Sequence, residues 1–164
     1  MALREDIRVW DGRTADDMLR VFTCHHLSGT FTDDLLTCLH EPKLQAGATW
    51  LLKRHLDDGG GLSAEQVRQF LLVLPSLDAW GARLHALQCL HHLDIPSQDA
   101  GTVERFLRDC LREQNKFVRA WAYSGFHHLA QQHHEYRAET DRLLNNASES
   151  ESASVQARIR RLMR

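Results

Sequence analysis

With 164 residues, a formal charge of −2 and 43% apolar content, the chain has the make-up of one water-soluble domain, spanning 1–164. It lacks the global positive field that favours nucleic acid, and no apolar run approaches the roughly 20 residues of a membrane span. The start, Met-Ala-Leu-Arg-Glu-Asp, is no signal peptide, and the four cysteines, Cys24, Cys38, Cys89 and Cys110, form no CxxC pair and lie among apolar residues. They read as small buried hydrophobes of a cytoplasmic protein rather than a disulfide framework.

Residues 1–28 are expected to form an N-terminal cap. Residues 1–12, with Ile7, Val9 and Trp10, read as an extended lead-in, and Thr14-Ala-Asp-Asp17 opens a helix through a hydroxyl cap and first-turn acids. Ser28-Gly29-Thr30 stops that helix near Leu27. A first helical hairpin is predicted over 30–58: a short helix with Phe31, Leu35, Leu36 and Leu39, a turn at Pro42, and a second helix from Lys43 to Leu56. The run Asp57-Asp58-Gly59-Gly60-Gly61 is a surface loop.

Ser63-Ala-Glu-Gln66 is a capping box that opens a second hairpin over 63–94. Its first helix holds Val67, Phe70, Leu71 and Leu74 and ends at Pro75; its second runs from Asp78 to Leu93. Asp99 caps the third hairpin, 99–132, whose second helix carries Val118, Ala122, Phe126 and Leu129 on one stripe. A fourth, degenerate hairpin covers 135–164, with a polar loop over Ala147–Ser152.

Two of these hairpins repeat at one offset. Adding 36 to Val67, Phe70, Leu71 and Leu74 gives Val103, Phe106, Leu107 and Cys110; adding it to Arg83, Ala86 and Leu90 gives Arg119, Ala122 and Phe126. A single shift that matches both helices and their loop is the mark of a stack of helical hairpins. The string Val118-Arg119-x-x-Ala122-x-x-Gly125-Phe126-x-x-Leu129 resembles the second-helix signature of HEAT repeats. Residues 63–129 carry that resemblance; 83, 86 and 90 keep it with Ala82 for Val, and the last hairpin has Gln156 for Arg. The resemblance implies an all-α fold: an α-α superhelix, or HEAT-like solenoid, of about four hairpins behind the capping helix, with second helices lining a concave face. It also implies an adaptor or scaffold more often than an enzyme, a minority of HEAT-like arrays being alkylpurine DNA glycosylases or bilin lyases.

Charge is distributed unevenly over the predicted helices. No Asp or Glu occurs in 43–56, 79–93, 116–129 or 153–164, whereas these stretches hold Lys43, Lys53, Arg54, Arg83, Lys116, Arg119, Arg158, Arg160, Arg161 and Arg164. If second helices share a surface, that surface is basic and concentrates anionic partners. Arg83 and Arg119 have a structural alternative, as hydrogen-bond ties between repeats. Trp50, Trp80 and Tyr123 are candidate aromatic anchors, with Trp80 and Tyr123 expected to be exposed opposite the Leu/Phe stripe; Trp121 stands outside the repeat series. The expected partner-binding set is Lys43, Trp50, Arg54, Trp80, Arg83, Lys116, Arg119, Tyr123, Arg158 and Arg161.

Four adjacent histidine pairs, including His91-His92 and His127-His128, suggest metal at first sight. Neighbours on a helix point about 100° apart and cannot share one ion, so neither metal nor cofactor is expected. No acid and base are fixed in one cleft, so no enzyme activity is expected. The reading is a monomeric cytoplasmic scaffold that binds an acidic protein segment. The runner-up is a nucleic-acid-binding protein related to the alkylpurine DNA glycosylases, distinguished by a steep loss of affinity with salt.

Overall fold

The computed structural model describes residues 2–164. Among the described residues there are ten α-helices and no strand. The chain divides into two compact units, one ending at His92 and the other running from Leu93 to Arg164.

The first unit holds α1 (Leu3–Arg8), α2 (Ala15–His25), α3 (Phe31–Cys38), α4 (Gln45–Asp57), α5 (Ala64–Val73) and α6 (Trp80–Leu90). The expected extended lead-in is therefore corrected: α1 is a short helix. Leu3 and Ile7, one turn apart, are both buried, whereas Val9 stays exposed. A single apolar pair is too little periodicity to announce a helix in the sequence. The second helices α4 and α6 lie side by side, as do the first helices α3 and α5. Leu44, Leu51, Leu52, Leu71, Leu74 and Leu87 are fully enclosed in this core. Gly47 on α4 permits the approach of α1, because a Cβ there would stand 2.7 Å from Cγ2 of buried Ile7.

The predicted capping box is present. The Ser63 hydroxyl accepts from the Gln66 amide at 3.2 Å, and the Gln66 side chain accepts from the Ser63 amide at 2.9 Å. Thr14, Thr30 and Asp99 stand at helix starts without capping through their side chains. Thr14 and Thr30 instead bond the carboxylates of Asp11 and Asp34.

The second unit holds α7 (Ala100–Leu111), α8 (Lys116–Gln132), α9 (Arg137–Ser150) and α10 (Ala153–Leu162). The stripe on α8 is buried as expected: Val118, Ala122, Phe126 and Leu129 are each fully enclosed. Tyr123 and Ala120 of α8 join Leu144 and Ala147 of α9 and Val155 and Ile159 of α10 in a second core cluster. The predicted loop over 147–152 is corrected, since α9 continues to Ser150 and buries Ala147. The polar Ser-Glu run hides one apolar residue at the helical spacing from Leu144.

Candidate functional site

In the second unit, three of the expected cations meet. Lys116 at the start of α8 and Arg158 and Arg161 on α10 line a pocket of about 300 Å³ with Phe117, Ala120, Trp121, Ser154 and Ala157. No carboxylate lines it. The Arg158 guanidinium lies 3.6 Å from the centre of the Trp121 ring, and its Nε donates to the Ser124 hydroxyl at 2.6 Å. Burial, and then Arg161 nearby, lower the Arg158 pKa, which leaves an arginine charged at any physiological pH. The Lys116 ammonium sits 5.5 Å from the centre of the Phe117 ring. Cations spread over aromatic faces, with no acid among them, suit an anion that also carries apolar or planar groups.

Arg119 and Tyr123 have a different fate. The Arg119 guanidinium donates to both carboxylate oxygens of Glu151, at 2.8 and 3.1 Å, and to the carbonyls of Glu113 and Gln114. Tyr123 is buried rather than exposed, at 8% accessibility, and its hydroxyl donates to Glu151 at 3.4 Å. The Arg119 hydrogen bond holds the Glu151 carboxyl below its usual range. Burial and then Glu151 push the Tyr123 hydroxyl up to about 12. This trio is a fastener between α8 and the α9–α10 connection. Its carboxylate comes from outside the second helices, where counting acids along those helices does not see it.

Glu151→Gln is expected to cost about 1–2 kcal/mol, because the mostly buried Arg119 loses its counter-charge. A carboxylate with a depressed folded pKa stabilises above its unfolded value and loses that contribution as pH falls through the folded one. The wild-type advantage over the variant should therefore be present at neutral pH and shrink below about 4.5. Urea unfolding of both proteins at neutral and acid pH reads this, and a gap that does not change with pH refutes the role given to Glu151.

In the first unit Lys43 and Arg83 stand apart from the other three remaining candidates. Lys43 is exposed in the turn before α4. Arg54 donates to Asp58 at 3.1 Å and lies 5.7 Å from the centre of the Phe22 ring, while Lys53 pairs with Asp57 at 2.5 Å. The predicted second helix ended at Leu56; α4 ends at Asp57, so these acids answer the cations one turn earlier. Arg83 donates its Nε to the Leu77 carbonyl at 2.9 Å. Arg119 makes the corresponding bond to Glu113, which is Leu77 shifted by 36. Both arginines thus tie the loop six residues before them.

Trp50 and Trp80 do come together. They line a cavity of about 380 Å³ with Trp10, Arg13, Leu84, His85 and the small residues Gly12, Ala15, Ala46, Ala79 and Gly81. Trp80 is exposed as expected, at 54% accessibility. Trp10 is held by its indole N–H, which donates to the Thr14 carbonyl at 2.9 Å. Asp11 accepts from the amides of Arg13 and Thr14, and Gly12 between them takes a left-handed φ of 77°. That turn carries Arg13 to the cavity.

His85 is neutral. Burial is the main cause that lowers its pKa to about 4; its ring bonds the Ala46 backbone, and Nδ1 is buried without a hydrogen-bond partner. Trp121, Phe117, Trp10, Arg13 and His85 were not among the expected site residues. For Trp121 a signal existed, since it stands four residues after Phe117 and off the buried stripe. For Trp10 and Arg13, in the connection between two helices, none did.

No helix among the described residues is long and apolar enough to cross a membrane. Comparison with family models, with curated proteins and with solved structures finds no match.

Proposed function

We propose that the chain is a HEAT-like binding module that holds an acidic protein segment in the pocket between α8 and α10. One observation carries the reading: Lys116, Arg158 and Arg161 converge on Phe117 and Trp121 with no carboxylate in the lining. Acidic side chains of a partner would meet the cations, and an apolar or aromatic side chain beside them would lie on the exposed Phe117 ring. The repeat reading draws on the shared bond of Arg83 and Arg119 to equivalent loop carbonyls, and on the side-by-side placement of α4 with α6 and of α8 with α10.

Arg119 and Tyr123 are outside this site, because Glu151 engages both. Lys116 and Arg161 are exposed and make no contribution to the core, so their reversal leaves the fold intact. Lys116→Glu combined with Arg161→Glu is expected to weaken a fluorescent Glu-rich peptide bearing one tryptophan by about tenfold or more, read by anisotropy. Unchanged affinity removes the pocket from consideration. A single-stranded oligonucleotide that outcompetes the peptide, with a steep log-linear salt dependence, would transfer the site to nucleic acid.

A further inference from the structure

The indole-lined cavity of the first unit adjoins a second one. This neighbour, of about 300 Å³, shares Trp50, Leu84 and His85 with it and adds Lys53, Arg54, Asp57 and Gln88. One compartment is therefore aromatic and the other predominantly basic, with a common wall along α4 and α6. We propose that the two compartments together bind a nucleoside phosphate, its ring among Trp10, Trp50 and Trp80 and its phosphate facing Lys53 and Arg54.

Three features select that chemistry. Indole rings favour a flat π-system, and three of them bound one space large enough for a base and part of a sugar. They would also attract a cation, but Arg13 lines the same space and no carboxylate does, which turns away a quaternary ammonium. The adjoining compartment supplies two cations against one acid, Asp57, and that acid already receives Lys53 and His92. The pairs of Lys53 with Asp57 and of Arg54 with Asp58 are partly exposed, worth about 1 kcal/mol or less each, and yield to a phosphate dianion. A ligand that spans both needs a planar ring, a polar spacer and a terminal anion.

The test is quenching of intrinsic tryptophan fluorescence by adenosine monophosphate, with adenosine and ribose 5-phosphate as half-ligands. Saturable quenching by the nucleotide, with each half-ligand weaker by about tenfold or more, is the expected result. Trp80→Ala, at the exposed first residue of α6, and Lys53→Glu should each reduce nucleotide affinity by about tenfold, with circular dichroism unchanged. The Lys116→Glu, Arg161→Glu protein should bind the nucleotide as wild type does, which separates this site from the acidic-segment pocket. A short single-stranded oligonucleotide that binds in wild type and fails in Trp80→Ala supports the same site, with a nucleic-acid strand as the source of the nucleotide. No saturable quenching by either probe overturns the proposal. So does equal affinity for adenosine and its monophosphate, and so does an acidic peptide that displaces the nucleotide and binds these tryptophans more tightly.

Discussion

Replacement of Phe126 by alanine is expected to destabilise the protein by about 3–5 kcal/mol, the largest effect of any single change considered. Phe126 is fully enclosed on α8. The Arg108 guanidinium lies 5.7 Å from the centre of its ring, and its own carbonyl accepts from the Thr140 hydroxyl at 3.3 Å. Beside it, Gly125 faces Leu107 so closely that a Cβ would collide with that side chain. A fully enclosed ring leaves a cavity that its neighbours fill only in part, so a cavity term adds to the lost transfer energy. A loss of this size is a large share of the roughly 5–15 kcal/mol that holds a typical domain together. Phe126→Leu keeps most of the volume and should cost under about 1.5 kcal/mol. Urea unfolding followed by far-ultraviolet circular dichroism measures both. A loss below about 1 kcal/mol for the alanine variant would mean that α7 and α8 are not packed around this ring.

The second large effect is a pH dependence that resides in one side chain. A free imidazole titrates near 6.5, whereas folded His85 is lowered to about 4, mainly by burial, with Lys53 opposing its charge further. Above 6.5 the ring is neutral in both states and the difference contributes nothing. Between 6.5 and about 4 the unfolded chain takes up a proton that the folded one refuses, so stability falls as pH falls. Below about 4 both states are protonated and the loss stops growing. Its full extent is about 3 kcal/mol. His85→Leu removes the titration, so the stability of this variant relative to wild type should rise by about that amount on going from neutral pH to pH 4. Parallel stability curves for the two proteins would show that the ring is protonated in the fold. Titration of the His85 ring by nuclear magnetic resonance reads the same quantity directly.

Much of the helical framework was legible in the residues. Val118, Ala122, Phe126 and Leu129 recur at three and four because a helix places such neighbours on one face, and that information is local. The capping box at Ser63 and Gln66 is local too, and so is the shared offset of Arg83 and Arg119 from the loop carbonyls they bind. Such features depend on residues a few positions apart, and the chain spells them out. Short or weakly apolar segments were not legible: α1 announces itself by one pair, and the Ser-Glu run of α9 looks like a loop because only Ala147 marks its buried side.

The candidate sites divide along the same line. That basic residues concentrate on second helices is a property of the sequence. Which of them can meet a ligand is not. Arg119 is engaged by Glu151, 32 positions later, and Arg158 reaches back to Trp121 and Ser124. The aromatic cavity draws on the connection before α2, on α4 and on α6. Ion pairs and cavity walls form between side chains that only packing brings within a few ångströms. The period of the apolar residues therefore determined most of the helices, while tertiary contact alone decided which cations are neutralised and which tryptophans share a space.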